Sequence, residues 1–437
     1  NSAAGLSPRD VAMSAAMPEV DGRLISVPAG FREAAEGDCP RVAWEPDRLE
    51  RLAGLAARWA RLGLLPNREK RVAILLNNPN GREARLAAAF GLDAPASVMR
   101  LLEALRAAGF AVEGIPETGE ALVEMILRAC PNDPAAATAE QLGAAVVRVP
   151  VSQYAAWFGG LPAAVRDAVE SHWGAPPGEV FVDGDDIVAP GVLLGNVFVG
   201  PQPQRGFALD RDAILHSPEL PPPHQYLAAY LWLREIFKAD AIVQVGKHGN
   251  LEWLPGKGTG LSAACFPDIA LGDTPLVYPF IMNNPGEGTQ AKRRAAAAIV
   301  DHLVPPMTEA GTYGELAEAR AALEALQEAL DRGAGPGRTA ALAERAAEAV
   351  RRARLERDLG IEPGAACEPE RLAREGLHYL DELESGLMPA GLHVLGEVPR
   401  DGALTDLLLA IDRGAGERSL GGAIARRLGL AAGDRLP

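Results

Sequence analysis

Two short apolar runs, Val72–Leu76 and Ala241–Val245, constrain the fold of this chain more than any other feature. Each is rich in aliphatic residues and lies between polar or glycine-containing segments, which is typical of a strand buried on both faces. Residues 97–108 and 224–237 carry apolar side chains at helical spacing. Strands that alternate with helices indicate parallel β-α-β units, so we expect an α/β fold.

Between the two runs the pattern predicts further elements. We expect a helix over residues 97–108 that is capped by Ser97 and closed by Gly109, and a second strand over residues 110–115. Thr118 opens the next helix. The first β-α turn lacks G-x-G-x-x-G, which argues against a dinucleotide site there.

The length of 437 residues exceeds that of one ordinary domain. After Pro306 the chain becomes rich in Ala, Glu, Leu and Arg at helical spacing, which predicts a helical hairpin. The chain begins with Asn1, and we expect a central portion of a longer polypeptide. The predicted multi-domain organisation is residues 1–65 as mixed helix and loop, 66–200 as an α/β domain, 201–310 as an α/β segment with the site motifs, 311–395 as a helical region, and 396–437 as the start of a further segment.

Charge and composition exclude several classes of function. The net charge of −15 and the pI near 5.1 disfavour binding to nucleic acid. No apolar run reaches the roughly 18 residues that a membrane helix needs, so we expect no membrane span. The four cysteines form no C-x-x-C pair, which excludes the common zinc and redox spacings and fits a reducing cytoplasm.

The densest group of polar candidates directly follows the second apolar run. Residues 246–257 read Gly-Lys-His-Gly-Asn-Leu-Glu-Trp-Leu-Pro-Gly-Lys, and ligands of open α/β sheets bind at such strand ends. His248 and Glu252 would share a face if this segment were helical. An imidazole and a carboxylate suit a divalent first-row ion, although the same spacing also fits a purely structural pair.

The end of this motif superficially resembles a phosphate-binding loop. A Walker A motif requires G-x-x-x-x-G-K-[ST], but Leu251 stands in place of the first glycine and Gly258 follows Lys257. We therefore predict no nucleotide site, so any ATP would be hydrolysed by another chain. G-x-S-x-G is absent as well, which argues against an α/β-hydrolase.

A second motif, Asn-Asn-Pro-Gly-Glu-Gly-Thr-Gln-Ala-Lys-Arg-Arg, spans residues 283–294. Glu287 lies between two glycines and precedes a helix that we expect to begin near Thr289. The amides at that helix start would favour an anion. Lys292, Arg293 and Arg294 form either a solvated charged face or a cationic wall for carboxylates.

His216 and His224 flank a proline-rich loop, and four of the seven histidines fall between residues 216 and 302. This clustering favours a site, although a histidine in such a loop can equally be a structural hydrogen-bonding residue.

Both long motifs resemble signatures of the large subunit of aerobic cobaltochelatase, in the family shared with the magnesium chelatase large subunit. Asn250, Trp253 and the glycines around Glu287 are more similar to the cobalt branch, whereas Asn284 departs from it. Further similar segments occur at residues 5–9, 18–22, 195–203, 221–224, 301–306 and 391–396.

The resemblance implies a cytoplasmic, tetrapyrrole-binding ligase subunit that inserts Co²⁺ into hydrogenobyrinic acid a,c-diamide during cobalamin biosynthesis. ATP and Mg²⁺ would be used by an AAA+ partner, and a third subunit would bridge the two. The alternatives are Mg²⁺ insertion into protoporphyrin IX and a non-catalytic tetrapyrrole-binding protein. The implied catalytic and metal-holding residues are Glu287, Glu252 and His248, and the implied substrate contacts are Lys247, Gln290, Lys292, Arg293, His216 and His224.

Overall fold

The computed structural model divides into two compact units, residues 1–303 with 394–396, and residues 304–393 with 397–437. The structure describes residues 6–24, 27–33, 41–78, 91–134, 136–206, 217–246, 249–304, 315–332, 334–353, 355, 359, 368–386, 392–412 and 420–429.

The described part of the first unit contains three β-sheets. Its strands are, in chain order, β1 (Gly30–Glu33), β2 (Arg41–Trp44), β3 (Val72–Leu76), β4 (Val147–Pro150), β5 (Val182–Asp183), β6 (Asp186–Ala189), β7 (Val192–Leu194), β8 (Val197–Pro201), β9 (Ala241–Val245), β10 (Leu276–Ile281) and β11 (Ala298–His302).

The largest sheet has six strands in the order β11-β10-β9-β3-β8-β7. All neighbouring pairs are parallel except β7 and β8, which form an antiparallel hairpin. The two apolar runs are confirmed as the adjacent central strands β3 and β9. Leu76 lies opposite both Val245 and Pro201, so β8, β3 and β9 end at the same level. The two smaller sheets, β1-β2 and β4-β6-β5, are antiparallel.

Helices surround these sheets and account for the predicted α/β class. Residues 246–257, which follow β9, are called the glycine-rich loop. The helix that begins at Phe266 comes after this loop, and the helix that begins at Pro285 follows β10. The helices of the first unit are α1 (Pro8–Val11), α2 (Met17–Val20), α3 (Pro46–Leu64), α4 (Ala94–Ala107), α5 (Gly119–Ala129), α6 (Ala139–Ala144), α7 (Val151–Gly159), α8 (Ala163–Trp173), α9 (His224–Leu231), α10 (Phe266–Leu271) and α11 (Pro285–Ala295).

The strand predicted over residues 110–115 is wrong. This segment is an extended connection that bonds to the β7–β8 hairpin, through Asn196 N–H to Ala111 C=O at 2.8 Å. The hairpin turns at Gly195, whose φ is +67° and whose added Cβ would lie 2.6 Å from the Ala111 carbonyl oxygen. The apolar run over residues 192–199 is therefore two strands, and it occupies the edge that a strand over 110–115 would need.

Two helix starts also differ from the prediction, because a nearby side chain caps the helix earlier in each case. Asp93, rather than Ser97, caps α4 by accepting from Ala96 N–H at 2.9 Å. Ser97 is buried within α4. Helix α11 begins at Pro285 and not near Thr289, since the Asn284 side chain caps it.

The second unit is helical throughout its described elements. The expected helical hairpin is confirmed and packs with a third helix around a core that includes Leu323, Leu326, Val350, Leu372 and Leu380. The helices of this unit are α12 (Glu315–Asp331), α13 (Pro336–Arg352), α14 (Pro369–Gly386), α15 (Asp401–Asp412) and α16 (Leu420–Leu428). Across the described ranges of both units, none of the helices combines the length and the apolar character that crossing a membrane requires.

Candidate metal and macrocycle site

The site motifs converge on the carboxyl edge of the large sheet. Because β8, β3 and β9 end together, Gln202, Asn77 and Gly246 follow the three strands side by side. Asn77 N–H donates to the Val245 carbonyl at 2.9 Å and extends the ladder by one residue. The glycine-rich loop thus leaves the sheet at the edge where ligands of open α/β folds bind.

Asn250 anchors the glycine-rich loop to the segment that follows β8 and to α9. Its N–H donates to Gln202 Oε1 at 3.0 Å, and its Nδ2 donates to the Pro203 carbonyl at 2.9 Å. Its Oδ1 accepts from the Tyr226 hydroxyl at 2.8 Å. With donor and acceptor both used, the Asn250 side chain sets the start of the 3₁₀ turn Leu251–Trp253.

Glu252 lies on that turn and is 1% exposed. The Tyr278 hydroxyl, from β10, donates to Glu252 Oε1 at 3.2 Å and accepts from Gly249 N–H. An added Cβ at Gly249 would lie 3.2 Å from the Tyr278 hydroxyl oxygen, so glycine permits this close approach. Tyr278 therefore fixes the loop and its carboxylate to the sheet.

Glu287 comes to the same place from α11. Its backbone N–H donates to the cap residue Asn284 at 3.4 Å, while its Oε2 is buried and has no hydrogen-bond partner among the described residues. Burial raises the pKa of the Tyr278 hydroxyl well above its ordinary value, and the Glu252 and Glu287 carboxylates raise it further. Tyr278 thus remains a proton donor between two carboxylates that sequence spacing alone did not connect.

The three adjacent cations of α11, Lys292, Arg293 and Arg294, have different surroundings. Arg293 makes a bidentate ion pair with Glu19 of α2, at 3.1 and 2.7 Å, so its guanidinium is not an unoccupied clamp for a ligand. Arg294 points to the protein interior and donates to three backbone carbonyls. Lys292 is half-buried and has no ion-pair partner among the residues that the structure describes, and Gln290 is half-buried on the same helix.

The structure places His224, a predicted substrate contact, in the protein interior. Its side chain is 1% exposed, with Nδ1 at 2.8 Å from the Tyr154 hydroxyl and Nε2 at 2.9 Å from the Gly174 carbonyl. Burial is the main influence on this imidazole and lowers its pKa. With both ring nitrogens bonded, His224 is a structural residue at the start of α9.

Three further predicted residues, His216, Lys247 and His248, lie outside the described residues. The helical face proposed for His248 and Glu252 is not present in the described part of the loop, because the turn begins only at Leu251. No group of three or more His, Cys, Asp or Glu side chains that could hold a metal ion occurs within the described ranges. Of the three residues predicted to hold the metal, the structure describes the two carboxylates Glu252 and Glu287.

The segment that superficially resembled a phosphate loop packs against Cys265. Gly256 has a φ of +141°, and its added Cβ would lie 2.8 Å from Cys265 Cβ. Lys257 N–H donates to Cys265 Sγ at 3.4 Å, and the Lys257 carbonyl accepts from Arg294 Nε at 3.0 Å. Both backbone polar groups of Lys257 are thus bonded within the protein.

Sequence reasoning missed three residues that hold the site together, Gln202, Tyr226 and Tyr278, and it missed the interior position of Arg294. The tyrosines lie in an apolar strand and an apolar helix, where they were indistinguishable from core residues. The hydroxyl groups of Tyr226 and Tyr278 were the signal that could have identified these residues, because a buried tyrosine hydroxyl needs a hydrogen-bond partner.

Comparison with known proteins shows the family of the chain. The family profile "CobN/Magnesium Chelatase" matches residues 1–435. The chain is 42% identical to the aerobic cobaltochelatase subunit CobN of Pseudomonas aeruginosa, over 98% of this chain and 34% of that protein. It is 34% identical to the chloroplastic magnesium-chelatase subunit ChlH of Oryza sativa subsp. indica, over 91% of this chain and 28% of that protein.

A solved structure is similar along almost the whole chain. The catalytic subunit of cobaltochelatase from Mycobacterium tuberculosis superposes with a TM-score of 0.70 at 40% identity, covering 99% of this chain and 37% of that one. The chain thus spans about a third of the length of the cobaltochelatase subunits that it matches. From its sequence motifs, its fold and these similarities, the chain belongs to the CobN/magnesium chelatase family.

Proposed function

We propose that this chain forms the tetrapyrrole-binding catalytic part of an ATP-dependent chelatase that inserts Co²⁺ into hydrogenobyrinic acid a,c-diamide. The observation that carries the proposal is the buried hydrogen bond from the Tyr278 hydroxyl to Glu252 at the carboxyl edge of the sheet, where the Glu287 carboxylate also helps to raise the pKa of Tyr278. Family membership supports metal insertion, and the higher identity to cobaltochelatase subunits than to the rice magnesium-chelatase subunit supports cobalt.

Metal insertion needs a proton acceptor for the inner N–H of the corrin precursor, which binds a metal as a singly charged anion. A carboxylate can accept that proton, and carboxylate oxygens also bind a divalent ion. Within the part of the chain that the structure describes, Glu287 Oε2 has no hydrogen-bond partner, which supports its assignment as a proton acceptor. Glu252 is held by Tyr278, so it can keep its position as the incoming ion exchanges water for ring nitrogens.

The substrate contacts that we propose are Lys292 and Gln290 on α11, together with Lys247 and His216 from the sequence motifs. A lysine on the helix that carries Glu287 suits the carboxylate groups at the edge of such a macrocycle. Arg293 is not among the substrate contacts that we propose, because its guanidinium is paired with Glu19. In this proposal an AAA+ partner hydrolyses ATP with Mg²⁺ and a third subunit bridges it to this protein.

The test is metal insertion by the full-length protein with its ATPase partners. Hydrogenobyrinic acid a,c-diamide and protoporphyrin IX are each offered with Co²⁺ or Mg²⁺, and the absorption spectrum of the macrocycle reports insertion. We expect insertion only for the corrin precursor with Co²⁺. Insertion of Mg²⁺ into protoporphyrin IX would instead assign the magnesium reaction, and macrocycle binding without insertion of either metal would assign a non-catalytic binding role.

A further inference from the structure

Arg294 is a buried cation whose hydrogen bonds all go to backbone. It is 6% exposed, and each of its three guanidinium nitrogens donates to a different carbonyl of the glycine-rich loop. Nε donates to Lys257 at 3.0 Å, Nη1 to Glu252 at 2.6 Å and Nη2 to Leu254 at 2.7 Å. One side chain therefore spans the loop from Glu252 to Lys257.

The same side chain belongs to the helix that carries Glu287. Glu287 and Arg294 are seven residues apart on α11, which is close to two helical turns, so they share a face about 10 Å apart along the axis. The small residues Gly288 and Ala291 are buried between them and let α11 approach β10 and the loop closely. Arg294 is thus a direct link between the two elements that supply the carboxylates.

The chemistry of a guanidinium suits this link. Its planar fork offers donors in fixed directions, whereas a lysine ammonium is a single point on a flexible stem and cannot reach three separated carbonyls in the same way. Burial lowers the pKa of Arg294, and the nearby carboxylate of Glu252 opposes that effect. The buried charge is accordingly offset by three carbonyl dipoles and by a carboxylate of the site.

We propose that Arg294 is a positioning residue that sets the placement of Glu252 relative to Glu287. It acts through the backbone of the loop and touches neither the metal nor the macrocycle. This inference rests on the proposed function for its effect on turnover, while its effect on the loop can be measured independently.

The chain provides a matched control in Arg234, which follows α9. Its Nη1 donates to the carbonyls of Ile269 and Ala270 at 2.8 and 3.4 Å, and burial lowers its pKa as well. Arg234 therefore fixes backbone by the same chemistry, but it holds the end of α10 rather than the loop with Glu252. A general loss of stability should affect variants of both residues, whereas a positioning effect should be confined to Arg294.

The experiment compares Arg294→Lys with Arg234→Lys in the full-length protein. Hydrogen exchange of the amides of residues 251–257 reports the loop, thermal unfolding reports stability, and insertion with the partner subunits gives kcat and KM. For Arg294→Lys we expect faster exchange in this loop and a fall in kcat of about 100-fold, with KM for the macrocycle little changed. For Arg234→Lys we expect loop exchange and kcat close to those of the wild-type protein.

Unchanged loop exchange in a folded Arg294→Lys variant would overturn the proposal, whether or not the protein inserts metal. An equal loss of kcat in both variants, in proportion to their stability, would also overturn it. If the wild-type protein inserts no metal, the proposed function fails, and the exchange measurement still decides whether Arg294 positions the loop.

Discussion

The hydroxyl of Tyr278 lies 3.2 Å from Glu252 Oε1 and joins a sheet strand to a loop carboxylate 26 residues earlier in the chain. The same hydroxyl accepts the Gly249 N–H, so a single oxygen holds both the glycine turn and the acid. Because Glu287 also contributes to the electrostatics of Tyr278, this hydroxyl marks the place where the two motifs of the sequence meet.

Replacing Glu287 by Gln should separate macrocycle binding from chemistry. The amide has nearly the same shape but cannot accept a proton, so we expect metal insertion to fall by at least about 100-fold. Macrocycle affinity should stay within a few-fold of the wild-type value. Fluorescence titration with the macrocycle and a single-turnover insertion assay provide the two readouts. Near-normal turnover would show that Glu287 is not the base.

Tyr278→Phe should weaken the contacts that hold Glu252 in place without removing either carboxylate from the site. The change removes the Tyr278 oxygen that accepts from the Gly249 N–H and the hydroxyl that donates to Glu252, and we expect a loss of about 1–3 kcal/mol in the free energy of unfolding. Turnover should fall more than macrocycle affinity. Tyr154→Phe is the matched control, since its buried hydroxyl bonds to His224 and not to the site. Equal effects of both variants on turnover would argue against a role for Tyr278 in holding Glu252.

The neighbouring cations Lys292 and Arg293 should have different roles. Lys292→Ala should weaken macrocycle binding, most clearly at low ionic strength, because charge interactions at a partly exposed site are screened by salt. Unchanged affinity at low salt would indicate a solvated face instead. Titrations at two salt concentrations make this measurement.

Arg293→Ala should instead reduce stability. It leaves Glu19 without its bidentate partner, and we expect a loss of about 1.5–3 kcal/mol in the free energy of unfolding. A double-mutant cycle with Glu19→Gln in urea denaturation measures the coupling. A coupling energy near zero, or a change in macrocycle affinity without loss of stability, would contradict this assignment.

Stability should decrease as the pH falls below about 6.5, the ordinary pKa of histidine. Burial lowers the pKa of His224 in the folded state, so the unfolded chain binds more protons in that range, and the free energy of unfolding decreases with decreasing pH. His224→Gln should reduce this slope between pH 7 and pH 5, as followed by urea denaturation. A slope equal to that of the wild-type protein would exclude His224 as a contributor.

The isolated chain should show no measurable ATP affinity. The spacing around Lys257 departs from a Walker A motif, and the N–H of Lys257 is bonded to Cys265. Calorimetry with ATP and Mg²⁺ is the direct measurement. Stoichiometric binding that is lost in Lys257→Ala would overturn the division of labour between this chain and an ATPase partner.

Sequence by itself determined the elements whose signal is local. The apolar runs that form β3 and β9 were predicted with their observed bounds, and the helical hairpin of the second unit was recognised from its spacing. The placement of a glycine-rich loop at the end of β9 also followed directly, because a strand end and the loop after it are contiguous in the chain. These features depend on periodicity and turn chemistry within a few residues.

Tertiary structure decided everything that depends on distant partners. Arg293 and Arg294 are adjacent and carry the same charge, yet one pairs with Glu19 of α2 and the other enters the loop after β9. Residues 110–115 have a strand-like pattern, but they bond to the β7–β8 hairpin and do not form a strand of the sheet. The sequence suggested His224 as a substrate contact, whereas in the structure Tyr154 and Gly174 bond to its two ring nitrogens. The role of a polar side chain depends on which group satisfies it, and chain folding brings that group from far along the sequence.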